Sequence, residues 1–186
     1  QLHQGIEVDF VAQPQPEVPY TLRGFVSVGD WKYQNQAFSR TYNEDRELLE
    51  QSSNDVDGGD VGDAAQFTAG VGLDIELAER LSVDGDVRFY DNLFADVGPT
   101  ANNLELPSYQ LMDLGISYKM PVNSGSLDIR LNLNNVFDKI YLGELRTAIV
   151  AGDEDATGVL YNGIDTGNEG FFGLGRTWNL SLRYNF

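Results

Sequence analysis

Arg176-Thr177-Trp178-Asn179-Leu180-Ser181-Leu182-Arg183-Tyr184-Asn185-Phe186 closes the chain, and its reading decides the fold. Trp178, Leu180, Leu182, Tyr184 and Phe186 are apolar or aromatic, and Thr177, Asn179, Ser181, Arg183 and Asn185 between them are polar. A strict period of two describes a strand with one wet and one greasy face. A soluble domain ending on such a strand would offer an unprotected edge to aggregation. A barrel has a use for it, because its last strand must pair with its first.

The same alternation recurs six times upstream. His3 to Gln13 sets Ile6, Val8, Phe10 and Ala12 opposite Glu7, Asp9 and Gln13, until Pro14-Gln15-Pro16-Glu17-Val18-Pro19 stops the strand. Tyr20 to Tyr33 sets Leu22, Gly24, Val26 and Val28 against Arg23 and Ser27. Phe25 breaks that pattern, and Trp31 and Tyr33 are expected in an interfacial aromatic girdle. Phe67, Ala69, Val71, Leu73, Ile75 and Leu77 oppose Gln66, Thr68, Asp74 and Glu76. After a tight turn at Ala78-Glu79-Arg80, Leu81, Val83, Val87 and Phe89 face away from Ser82, Asp84, Asp86 and Arg88. Met112, Leu114, Ile116, Tyr118 and Met120 oppose Asp113, Ser117 and Lys119, and Pro121-Val122-Asn123-Ser124-Gly125 turns the chain. Leu127, Ile129, Leu131 and Leu133 then oppose Asp128, Arg130, Asn132 and Asn134. Seven strands are readable.

Composition narrows the class. The 186 residues suit one domain, and at a mean hydropathy of -0.30 no apolar run is long enough for a membrane-spanning helix. Barrel strands alternate and score as mildly polar, so this leaves the membrane open. Cysteine is absent and His3 is the only imidazole, which removes disulfide frameworks, thiolate sites and most zinc schemes. A net charge of -17 argues against nucleic acid as a partner. Gln1 opens without a charged or apolar leader segment, which suggests a leader already removed or a piece of a longer chain.

Loop lengths alternate by parity. Connections 14–19, 78–80 and 121–125 are short, and 34–63, 91–108 and 138–170 are long. Transmembrane barrels have short periplasmic turns and long external loops, whereas a sandwich has no reason to sort its loops this way. The long connections carry net charges of -6, -3 and -5, most of the total of -17. Thr41 to Gln51 is expected to form a short surface helix, and Asp55-Val56-Asp57-Gly58-Gly59-Asp60 is turn composition.

The terminal Phe186 with apolar residues at alternate positions before it resembles the assembly signal of outer-membrane β-barrels. Leu133-Asn134-Asn135-Val136-Phe137-Asp138-Lys139-Ile140-Tyr141 resembles the "N-V-F-D-K-x-Y" segment of TonB-dependent outer-membrane receptors. Gly175-Arg176-Thr177-Trp178 resembles the "G-R-x-aromatic" start of their last strand. Val61-Gly62-Asp63-Ala64-Ala65-Gln66 and Tyr90-Asp91-Asn92-Leu93-Phe94-Ala95-Asp96 resemble a branch of the same family. The resemblance covers almost the whole chain. It implies a 22-stranded barrel of which this is the last part, and an N-terminal plug, absent from these residues, that contacts TonB.

Other constellations have plainer explanations. Asp55, Asp57 and Asp60 faintly resemble a calcium loop, but the twelfth position counted from Asp55 is Gln66 rather than an acid. Asp153-Glu154-Asp155 suits solvated surface, and Asp84 with Asp86 beside Arg88 suits a watery lumen better than acid–base catalysis. Gly70, Gly72 and Gly85 lie within strands, where glycine lets a wall curve or a neighbour approach.

The expectation is therefore all-β: an antiparallel meander of about seven amphipathic transmembrane strands over residues 1–186, the C-terminal part of a larger outer-membrane β-barrel without its plug. Its function would be TonB-dependent import of a substrate caught by the external loops and lumen, with no catalytic residue, cofactor or metal. The barrel-terminal signal would be Trp178, Leu180, Leu182, Tyr184 and Phe186, and the family motif Asn135, Val136, Phe137, Asp138, Gly175 and Arg176. Expected partners are outer-membrane lipid, the rest of the barrel and plug, TonB through that plug, and the barrel-assembly machinery, with room for a surface lipoprotein. A complete small barrel of structural or adhesive role and a soluble carbohydrate-binding sandwich are the alternatives.

Overall fold

One antiparallel sheet holds seven long strands in the order in which the chain makes them. They are β1 (Leu2–Ala12), β2 (Tyr20–Lys32), β3 (Phe67–Ala78), β4 (Leu81–Asp91), β5 (Tyr109–Val122), β6 (Gly125–Asn134) and β7 (Thr177–Asn185). The computed structural model describes residues 1–14, 19–96, 98–146, 149–150 and 152–186. No helix occurs among the described residues. The turn expected over 14–19 lies partly outside them.

Register follows the alternation, because apolar residues meet apolar residues across every strand pair. Ile6 faces Val28, Leu22 faces Leu73, Ile75 faces Val83, and Leu131 lies between Ile116 and Leu180. The opposite face brings Asp74 to Asp84, Asp86 to Asp113, and Asn132 to Asn179. Among the described residues no second sheet covers the apolar face: Ile6 is 74% exposed, Trp178 70% and Leu182 61%. A soluble sandwich would bury those rows between two sheets. β1 and β7 are the two edges of the sheet.

The described core sits in the long connections rather than on the wall. Leu93, Ala95, Leu106, Leu142, Leu145 and Ile164 form one buried cluster, and Tyr33, Val56 and Val61 another. Short pairings shape these loops, including Leu93–Phe94 with Glu105–Leu106 and Leu142–Leu145 with Gly170–Phe172.

Two sequence expectations change. Thr41 to Gln51 is no helix; Gln36–Tyr42 and Leu48–Asp55 pair as a hairpin. Asn43 pins its turn by accepting the Glu47 N–H at 2.8 Å, and Arg46 takes a left-handed φ of 64°. Trp31 and Tyr33 do not form a lipid girdle. Trp31 shares the face of Arg23 and Phe25, and Tyr33 is 9% exposed against Val56 and Val61.

Candidate functional site

The polar face of the sheet is built as cross-strand charge sets. Asp74 opposite Asp84, and Asp86 opposite Asp113, would repel if left alone. Three arginines resolve this. Arg23 pairs with Asp74, Arg130 holds Asp84 through two bonds of 2.8 and 2.9 Å, and Arg88 pairs with Asp113. Arg88 Nε also lies 2.9 Å from Asp86, off-axis for a hydrogen bond. These side chains are partly exposed, and exposed ion pairs contribute only about 0–1 kcal/mol each. Their effect is to offset most of the repulsion, leaving four acids against three arginines, rather than to hold the sheet together.

Glycine makes room for these side chains. A Cβ at Gly70 would come 2.5 Å from the Phe25 ring, and one at Gly72 would come 2.7 Å from Arg23 Nε. At Gly115 it would meet Asp84 and Arg130 at 2.5 and 2.6 Å. Phe25, which breaks the sequence alternation, therefore lies against bare backbone at Gly70.

Each long connection is fastened at its neck. At the first, Gln66 is 4% exposed; its Oε1 accepts the Trp31 N–H at 2.7 Å and its Nε2 donates to the Trp31 carbonyl at 3.2 Å. At the second, the Tyr90 and Tyr109 rings stack at 4.8 Å, and Tyr141 from the third loop stacks on Tyr109 at 4.3 Å. The loops also bond to one another. Asp63 N–H donates to Phe94 O, Gln66 N–H to Asn92 O, and Asp96 N–H to Leu145 O. The stretches 61–66 and 90–96, far apart in sequence, are thus partners across one seam.

At the third neck the residues of the sequence motif meet. Asn135 is 5% exposed with a left-handed φ of 50°. Its Oδ1 accepts the Lys139 N–H at 2.8 Å, and its Nδ2 donates to the carbonyls of Lys139 at 2.9 Å and Leu174 at 3.1 Å. Its own N–H donates to Asp113 Oδ1 at 2.7 Å. Asp138 accepts the Arg176 N–H at 2.7 Å and faces its guanidinium at 3.9 Å, so it is engaged rather than merely solvated. Gly175 leaves space for that carboxylate, since a Cβ there would lie 2.9 Å from Asp138 Oδ1. Val136 N–H donates to Met112 O, and the Phe137 side chain is 71% exposed. Trp178, Leu180, Leu182 and Tyr184 alternate along the apolar face of β7, opposite Leu133, Leu131, Ile129 and Leu127, and Phe186 is wholly exposed beyond them.

The acidic candidates are spent separately. Asp55 accepts the Asp57 N–H, Asp57 the Asn35 N–H, and Asp60 pairs with Lys32 at 2.5 Å. Among the described residues no group of three or more metal-ligating side chains converges. Asp153 accepts the Val150 N–H at 2.8 Å.

Asp165 is an acid that sequence reading passed over. The Gly167 N–H at 2.8 Å is the main cause that holds its carboxyl below the usual range; desolvation opposes this, and the Thr157 hydroxyl and the Thr157 and Gly158 amides add to it. A depressed folded-state pKa stabilises the loop above the unfolded value of about 3.9, and that contribution is lost as pH falls through the lower folded value. Amide exchange at Gly158 and Gly167, corrected for intrinsic rates, should stay level from neutral pH to about 4 and accelerate only below it. Acceleration beginning near pH 6 would contradict this account.

A family model described as TonB dependent receptor-like, beta-barrel, matches residues 1–136. The siderophore receptor PiuA from Acinetobacter baumannii superposes with a TM-score of 0.62 at 17% identity, over 97% of this chain and 21% of that chain. The ferric-catecholate import receptor Fiu from K12 E. coli matches at a TM-score of 0.44 and 15% identity, over 97% of this chain and 27% of that one. No curated protein matches. The chain spans 21% of the length of PiuA, and the likeness to it is one of fold.

Proposed function

Because the chain belongs to the TonB-dependent receptor β-barrel family, we propose that it forms the C-terminal wall of an outer-membrane importer. In this reading β1 to β7 are the last strands of a 22-stranded barrel. The loops 33–66, 92–108 and 135–176 are external and meet the substrate. The polar face, with its paired acids and arginines, lines the lumen around a plug supplied by the rest of the protein, and TonB acts through that plug. The barrel-assembly machinery and outer-membrane lipid meet β7 and the apolar face.

One observation carries the reading: the sheet is apolar and uncovered on one face, and charged and internally paired on the other. Water would punish the first face and hydrocarbon the second, so the sheet suits a boundary between lipid and an aqueous interior. The two free edges favour a part of a larger barrel over a complete small one.

The test is uptake by cells carrying the full receptor, with a panel of ferric siderophores as the first probes because the fold neighbour PiuA is a siderophore receptor. At least one probe should accumulate only when both the receptor and TonB are present. Accumulation of that probe that persists without TonB would overturn the proposal. Deleting the hairpin Gln36–Asp55 should lower uptake while leaving the receptor in the membrane.

A further inference from the structure

We propose that Asn135, Asp138 and Gly175 form a register clasp that sets where the terminal strand β7 pairs with β6. The argument starts from a gap in what the alternation can specify. A slip of one residue would turn the apolar row of β7 to the wrong face and is excluded by that pattern. A slip of two residues keeps every side chain on its proper face, so the pattern does not exclude it. Short hairpin turns fix register through their own geometry. The turn between β5 and β6 does this at Asn123-Ser124, but the connection from β6 to β7 runs over residues 135–176, long enough to absorb a slip.

The clasp converts that long connection into a short one. Asn134 and Thr177 are the last Cα partners of the two strands, and their side chains bond at 3.1 Å. Immediately beyond them, Asn135 Nδ2 grips the Leu174 carbonyl, and Asp138 Oδ1 accepts the Arg176 N–H. Asn135 N–H is anchored in turn on Asp113 of β5, whose other oxygen pairs with Arg88 of β4. The incoming end of β7 is thus measured against three wall strands before its first rung forms. Displacing β7 by two residues would carry Leu174 and Arg176 away from both acceptor and donor. Loop residues between 140 and 173 then need no particular length for the register to hold.

This inference rests on β7 being a wall strand of the receptor, and the experiment separates the two. Asn132 and Asn179 are Cα partners on the polar face, and the chain contains no cysteine. In the full receptor, cysteines at 132 and 179 should crosslink on oxidation, while pairs at 132 and 181 or at 132 and 177 report slips of two. Asn135→Gly with Asp138→Gly removes the gripping side chains but keeps backbones that tolerate their left-handed φ of 50° and 53°. In that variant the ratio of 132–179 to slipped crosslinks should fall about thirtyfold, the factor two net hydrogen bonds are worth. Phe137→Ala, in the same turn but outside the clasp, should change nothing. If the variant fails to accumulate in cells, the same crosslinks are read on receptor refolded from urea into detergent. An undiminished 132–179 crosslink without slipped products would overturn the clasp. Failure of that crosslink in the unaltered receptor would overturn the wall reading as well.

Discussion

Leu131→Arg should cost the full receptor about 2–4 kcal/mol of stability in the membrane, the penalty for a cationic side chain near the midplane of a lipid-facing strand. Leu131 sits near the middle of β6, 41% exposed, between Ile116 and Leu180 on the apolar face. Asn132→Arg, one residue on, should leave stability almost unchanged. Asn132 bonds Asn179 at 2.9 Å on the face that already carries Arg130, so the arginine finds water and neighbouring acids. Adjacent residues of equal depth therefore give opposite results, because successive side chains point to opposite faces. Urea titration of receptor refolded in lipid measures both. A spin label at Leu131 provides the independent check: it should collide freely with dissolved oxygen and little with a polar quencher. Low accessibility to both would mean a buried core, and equal sensitivity of Leu131 and Asn132 to arginine would contradict the two-faced wall.

The wall was legible because a period of two is a local signal that survives reading one strand at a time. Leu127, Ile129, Leu131 and Leu133 declare their face without reference to any partner. The loops have no such period. Leu93, Leu106, Leu142, Leu145 and Ile164 come from two loops and meet in one cluster only after the strands are paired. Thr41 to Gln51 misled because Glu, Leu, Arg and Gln favour helices, while the pairing of Phe38 with Ser53 and Arg40 with Gln51 is non-local. One signal was present and unused. Asn162-Gly163 between Leu160-Tyr161 and Ile164-Asp165 is a two-residue hairpin, and both central residues have positive φ, 48° and 88°. The motif residues Asn135 and Arg176 could be picked out by resemblance, but their meeting through Asp138 and Leu174 is a tertiary fact.

Phe186→Ala should lower the amount of receptor reaching the outer membrane several-fold while leaving the assembled fraction as stable as before. The separation follows from where the ring sits. Phe186 is fully exposed, its nearest aromatic neighbour is Tyr184 at 6.1 Å, and it lies beyond the last Cα pair, Ser126 with Asn185. Within this sheet it buries nothing, so truncating it removes little folding energy here. If the assembly machinery buries it during recognition, the loss is that of a large apolar side chain, about 1.5–3 kcal/mol of binding. A rate-limiting recognition step then slows at low machinery concentration without changing the product. The comparison residue must be an exposed loop apolar. Val159 meets this condition at 61% exposed. Quantitative detection of surface receptor for Phe186→Ala and Val159→Ala, together with melting of the purified assembled material, gives both readouts. Equal surface levels would remove the recognition role of the terminal aromatic, and a lowered melting temperature for Phe186→Ala alone would assign it to barrel packing instead.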